Sequence, residues 1–274
     1  MFLYNVRIAL KSLRRNPLLT TLLVAAIAVG ICISTTFTSL RHIMTREPLP
    51  GKTEDLFYVR LDNWDPGRAY LADDPHSLPT QVSYRDMRAL MESKIPTHQT
   101  AAFTSRFFVF PGPRMGSPYP ETVRLTFSDF FTMFDVPFRY GGPWTKAADQ
   151  RPEPVVVISE ATNQKLFRGE NSVGRTVRLG EREFKVVGVL AAWRPAVKFY
   201  DPTMRAIDAP EAVYLPLNFT ESMKIRTAGN SDGWKALPAN TFEGFLQSET
   251  VWLNYWVELR SPDQRRAYGE FLTQ

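Results

Sequence analysis

Three histidines, one cysteine and a short run of aspartates are the side chains of this 274-residue sequence best suited to hold a metal or pass a proton. His42, His76 and His98 stand far apart, and none forms the H-x-x-x-H or H-x-H spacing that would aim two imidazoles at one ion. Asp62, Asp65, Asp73 and Asp74 crowd one segment, but it lacks the glycine and closing glutamate with which a calcium hand turns and completes its oxygen shell. A solvated acidic loop is expected there. Cys32 has no second cysteine to pair with, which excludes an intrachain disulfide and a multi-thiolate zinc site.

The motifs of phosphate and acyl chemistry are absent. There is no G-x-x-x-x-G-K-[ST] loop to cradle phosphates, no G-x-G-x-x-G fingerprint, no G-x-S-x-G elbow, and no serine followed three residues later by lysine. Two aromatic groups could wall a ligand site: Phe130, Phe131 and Phe134, and Trp252, Tyr255 and Trp256. The first group has helical spacing and the second alternates along a strand. Both are therefore expected to pack in a core. The sequence names no catalytic, cofactor-binding, metal or substrate-binding residue, and no cofactor is expected.

The elements that carry these residues begin with an uncharged run. Residues 18–40 hold 23 residues without a charge, enough at about 1.5 Å per residue to cross a hydrocarbon core of about 30 Å. The apolar core of a cleaved signal is usually shorter, about 7 to 15 residues. Six of the 33 basic residues, Arg7, Lys11, Arg14, Arg15, Arg41 and Arg46, fall in the first 46 positions with no acid among them. The remainder holds 27 bases against 28 acids, so the pI near 9.3 is a topology signal and not a nucleic-acid footprint. The charge distribution places the N-terminus in the cytoplasm and the large domain outside it. Residues 1–16 are expected to form a cytoplasmic amphipathic segment, with Phe2, Leu3, Val6, Leu10 and Leu13 opposite Arg7, Lys11 and Arg14. The transmembrane helix is expected over 17–41, with Pro17 in its first turn. Gly30, Ser34, Thr35, Thr36 and Ser39 in its outer half are small enough to admit a neighbouring helix or simply to be tolerated in lipid.

Residues 47–274 alternate strand and helix signals irregularly. Strands are expected at 56–61, 101–110, 121–127, 154–159, 211–217 and 250–259, and a hairpin at 173–189 turning on Gly180 and Glu181. Loop fills 62–80. Short helices are expected at 83–91, capped by Ser83 with Asp86; at 128–134, capped by Ser128; at 160–167; and from Pro262 onward. Hairpins without a fixed repeat indicate an α+β domain of mixed sheets and short helices, divided into two subdomains.

The segment VVVISEATNQKLFRGENSVGRTVRLGEREFKVVGVL at 155–190 resembles the strand, helix and hairpin of MacB-type ABC transporter permeases. The R-x-A-x-K-S-L-x-R-x-P pattern at 7–17, VSYRDMRAL, VRLTFSDFFTMFDVPFRYGGPW and EAVYLPLN support the same resemblance, which covers nearly the whole chain. The resemblance implies a periplasmic core domain at 47–274, truncated at its C-terminal end because the family's three further membrane helices do not follow. It also implies a permease subunit in the bacterial inner membrane that hydrolyses no ATP itself. Its implied partners are an ABC ATPase, a second permease copy, a periplasmic adaptor protein and the lipid bilayer, with no nucleic acid. The alternative reading is a single-pass membrane-anchored periplasmic binding or sensor protein.

Overall fold

The computed structural model describes residues 1, 4, 7, 16–45, 47, 49–111, 117–204 and 207–273. The chain divides into two compact units, Met1–Glu47 and Pro48–Gln274. The expected amphipathic segment over 1–16 lies almost wholly outside the described residues; of those described, Tyr4 and Arg7 are helical and exposed.

Among its described residues the first unit carries one long helix, α1 (Pro17–Thr45). Its span Pro17–Ser39 has a mean hydropathy of 2.3 and none of it is buried. Apolar side chains therefore face outward all round, as a helix solvated by lipid presents them. The hydroxyls of Thr35, Thr36 and Thr38 donate to the carbonyls of Ile31, Cys32 and Ser34 at 2.7–2.8 Å, so they are satisfied within the helix.

In the second unit β1 (Leu56–Tyr58) is shorter than expected. After it Arg60 turns to the carbonyls of Leu78 and Pro79, while Val59 still donates to Tyr255 at 2.9 Å. β2 (Val82–Ser83) leads into α2 (Tyr84–Met91), where Ser83 and Asp86 form the expected reciprocal capping box. Two long strands follow, β3 (His98–Phe110) and β4 (Tyr119–Thr126), and then α3 (Asp129–Met133).

Ser128 precedes α3 as expected but makes no side-chain cap bond, because its own backbone is already helical at φ −59° and ψ −31°. Asp149 holds it instead. The Asp149 carboxylate accepts from Ser128 N at 3.0 Å, from Ser128 Oγ at 2.5 Å and from Trp144 Nε1 at 2.7 Å. That ties α3 to α4 (Lys146–Gln150) across β5 (Phe138–Gly141).

The segment read most clearly from sequence folds as expected: β6 (Val155–Ile158), α5 (Glu160–Phe167), β7 (Thr176–Leu179) and β8 (Arg182–Leu190). Gly180 takes φ +58° in the turn between β7 and β8. After an excursion come β9 (Val213–Pro216), α6 (Phe219–Ser222), α7 (Phe242–Leu246), β10 (Val251–Glu258) and α8 (Pro262–Leu272), the last with Pro262 in its first turn.

Among the described residues ten strands form one mixed sheet, eight of them in the order β1-β10-β3-β4-β9-β6-β8-β5, with β2 paired to β10 and β7 off the same path. β7 pairs with both β8 and β3, so β3, β4, β9, β6, β8 and β7 close on themselves as a small barrel. Strand alternation then sorts the apolar residues into two cores. Val123, Leu125, Val156, Ile158, Val213 and Leu215 belong to one, which also takes in β7, β8 and the layer around Trp252. Val155, Val157 and Tyr214, pointing the opposite way, join the α3 aromatics in the other. Residues 48–274 are one compact unit built on one sheet, so the expected division into two subdomains is not seen; the two apolar clusters lie on opposite faces of that sheet.

Candidate functional site

On β4, Val123 and Leu125 point into the first core, so Arg124 must point to the opposite face. There its register neighbour is Tyr214 of β9, which in turn pairs with Val157 of β6. A guanidinium on that face would meet water if the sheet were bare. Here α3 and the excursion of 191–212 cover it, and Arg124 is fully buried.

The excursion supplies the compensating charges. Arg124 Nε and Nη2 donate to Glu211 Oε2 and Oε1 at 3.0 and 2.8 Å, a bidentate fork, and Nη2 also reaches Asp201 Oδ2 at 2.5 Å. Lys198 Nζ lies 2.6 Å from Glu211 Oε1. Asp201 Oδ1 accepts from Asn254 Nδ2 at 2.8 Å and from Thr203 Oγ1 at 2.9 Å, which links the cluster to β10. The guanidinium carbon sits 4.9 Å from the Tyr200 ring centroid and 5.7 Å from that of Phe130. Two positive and two negative side chains therefore share one dry pocket with no net charge.

Burial pushes the Glu211 carboxyl up, but the Arg124 and Lys198 charges outweigh it and hold the group down at about 2. Burial acts against the Arg124 charge too, and the two carboxylates overcome it, keeping the guanidinium well above its ordinary range. Burial and the nearby Glu211 charge raise both Tyr200 and Tyr214. Glu211 is thus fixed in its ionised form near neutrality and its oxygens are engaged. Such a carboxylate holds structure and does not exchange protons at pH 7.

Glu211 also belongs to the lining of a cleft of about 670 Å³. One wall is the end of β6 and the start of α5, with Glu160 and Gln164; the other comes from both arms of the excursion, with Trp193, Arg194, Ile207 and Asp208. Trp193 stacks on Tyr200 at 4.9 Å, so the charge cluster and the aromatic layer jointly position the cleft wall. Ser159 accepts from Thr162 N at 3.1 Å, and Glu160 pairs with Arg139 at 2.8 Å. The cleft is thus lined above a buried layer of paired charges and stacked rings.

The residues singled out from sequence lie elsewhere. His42 is on α1 of the first unit; in the second, His76 is in an exposed loop with its amide donating to Asp74, and His98 Nδ1 bonds to Glu258 at 2.8 Å. Among the described residues no group of three or more His, Cys, Asp and Glu side chains could hold a metal. Asp65 and Asp74 accept from the amides of Gly67 and His76, two residues on in each case, as turn-forming aspartates do. Phe130, Phe131 and Phe134 are core. Trp252 and Tyr255 are fully buried, and Trp256 donates from Nε1 to the Tyr200 carbonyl at 3.1 Å.

The second unit is thus an α+β domain closed around a small barrel, and the first carries an apolar helix long enough to cross a membrane. The family model of the MacB-like periplasmic core domain matches residues 20–272, and the chain belongs to that family. Among solved structures it is similar to the periplasmic region of MacB from Actinobacillus actinomycetemcomitans, at 14% identity and a TM-score of 0.50, over 83% of this chain and 86% of that one. It is also similar to the extracellular domain of the noncanonic ABC-type transporter YknZ from Gram-positive bacteria, at 16% identity and a TM-score of 0.46, over 78% and 87%. No curated protein matches the sequence at a significant level. The family and the apolar helix together give an inner-membrane protein with a cytoplasmic N-terminus, and they support a function within the ABC-transporter permeases.

Proposed function

We propose that this chain is a permease subunit that passes motion from a separate ATPase to its outer domain and so drives export or extrusion of a periplasmic or membrane substrate. Residues 1–16 lie beside the ATPase in this reading, 17–41 cross the bilayer, and 47–274 work outside it. A second copy completes the transporter and a periplasmic adaptor engages the outer domain. The observation that carries the reading is an unburied apolar helix on a chain whose residues 20–272 match the MacB-like periplasmic core domain. The paired charges under the cleft add support, since a domain that transmits force needs a wall that does not yield.

Replacing Arg7 with a photo-crosslinking amino acid in the full-length protein, in its own host, tests the proposal. An adduct with an ATP-binding subunit is expected. Adducts with lipid and with other proteins, but never with such a subunit, would overturn it. The cleft favours one second reading, a membrane-anchored binding protein, for which the phenotype of deleting this chain would be unchanged by deleting every candidate ATPase as well, and no deletion of an ATPase alone would reproduce it.

A further inference from the structure

The cleft carries charges that neither the fold nor the motion-transmitting role uses. Among its charged lining residues, Glu160 is neutralised by Arg139, and Glu211 by Arg124 and Lys198. Arg194 and Asp208 differ. They sit on the two arms of the excursion between β8 and β9, both are exposed, and neither has an ion pair among the described residues. One cation and one anion without an ion pair among the described residues therefore line the same cleft. The same lining also holds the apolar residues Leu190, Trp193 and Ile207, the last of them 81% exposed. A large aliphatic side chain so open to water gains by being covered.

We infer that this cleft binds a small amphipathic zwitterion, with an amino group set against Asp208, a carboxylate against Arg194 and an apolar body between them. A short peptide of apolar residues with free termini has that chemistry. The volume of about 670 Å³ lies within the range of about 300–1,000 Å³ typical of small-ligand sites. The balanced charge selects against a pure anion or a pure cation, because either would leave one of the two side chains unanswered. Arg194 also offers the planar fork that matches a carboxylate. The Arg124–Glu211 pair and the Trp193–Tyr200 stack hold the Glu211 and Trp193 parts of the wall before binding, which lowers the ordering cost. The inference holds whether the chain works in transport or as an anchored binding protein.

The test is calorimetric titration of the full chain in lipid nanodiscs, with empty nanodiscs subtracted, using three probes: trileucine with free termini, N-acetyl-trileucine and trileucine amide. The free peptide is expected to bind, and each blocked form to bind about tenfold more weakly, the loss of one charge-assisted contact. Asp208→Ala should bind the free and acetylated peptides alike, and Arg194→Ala the free peptide and the amide alike. Absence of trileucine binding would overturn the inference. So would equal binding of all three peptides by the unaltered chain, which would mean an apolar cleft with no use for its charges. The peptide comparison needs no variant, so it decides the matter even if a substitution disturbs the fold.

Discussion

Arg124 is where one side chain decides most. It brings a full charge into a dry layer, and the pairing recovers that cost only while both partners stay in place. Truncation in Arg124→Ala leaves Glu211 and Asp201 buried with Lys198 alone, and should cost about 3–5 kcal/mol in urea unfolding of the core domain followed by tryptophan fluorescence. Adding Glu211→Gln should return part of that loss, which a purely steric role for Arg124 would not allow. The same cluster sets an acid limit. Glu211 is held at about 2 in the folded chain against an ordinary 4.5, so the stability from its pairs is complete above about 4.5 and drains as pH falls toward 2. A pH series of unfolding midpoints should therefore be flatter between those values for Glu211→Gln than for the unaltered chain. None of this was legible in the sequence. V-R-L on a strand reads as two buried residues flanking one that faces water, and only the remote excursion makes that third position internal.

At the scale of elements, local signals were read well and closure was not. The capping box of α2 was visible because Ser83 and Asp86 stand three apart at the head of an amphipathic run, and both of its bonds form. Ser83→Ala should cost about 1 kcal/mol in the same unfolding measurement. The β7–β8 hairpin was equally plain from its alternation and its Gly180 turn. The barrel depends instead on β7 pairing with β3, Val109 against Leu179, a contact across seventy residues that no periodicity encodes. Gly141 at the end of β5 was likewise silent. It takes φ +65°, and a Cβ there would lie 2.1 Å from the Val187 carbonyl oxygen, backbone of the neighbouring strand. Gly141→Ala should therefore destabilise the domain by more than about 1 kcal/mol. Hydrogen exchange should place the loss at the β5–β8 pairing.

For the whole molecule the governing fact is that charge and apolarity are separated along the chain. Six bases and no acid accompany the apolar helix, while the rest is almost balanced, so the membrane sets the orientation and the core domain follows. Both halves of that statement can be tested with cysteine chemistry, because Cys32 is the chain's one thiol and can be removed as Cys32→Ser. In that background Asp73→Cys, in an exposed loop of the core domain, should react with a membrane-impermeant maleimide once the outer membrane is opened. Arg7→Cys should react only after the inner membrane is lysed. Reaction in the reverse order would refute the orientation drawn from the basic residues. Insertion itself rests on the uncharged span. A single Ala28→Arg near its middle adds about 2.5–3.5 kcal/mol to the free energy of insertion, which should lower the fraction of chain resisting alkaline carbonate extraction. An unchanged fraction would mean that the helix is held at the membrane by something other than its own apolar surface.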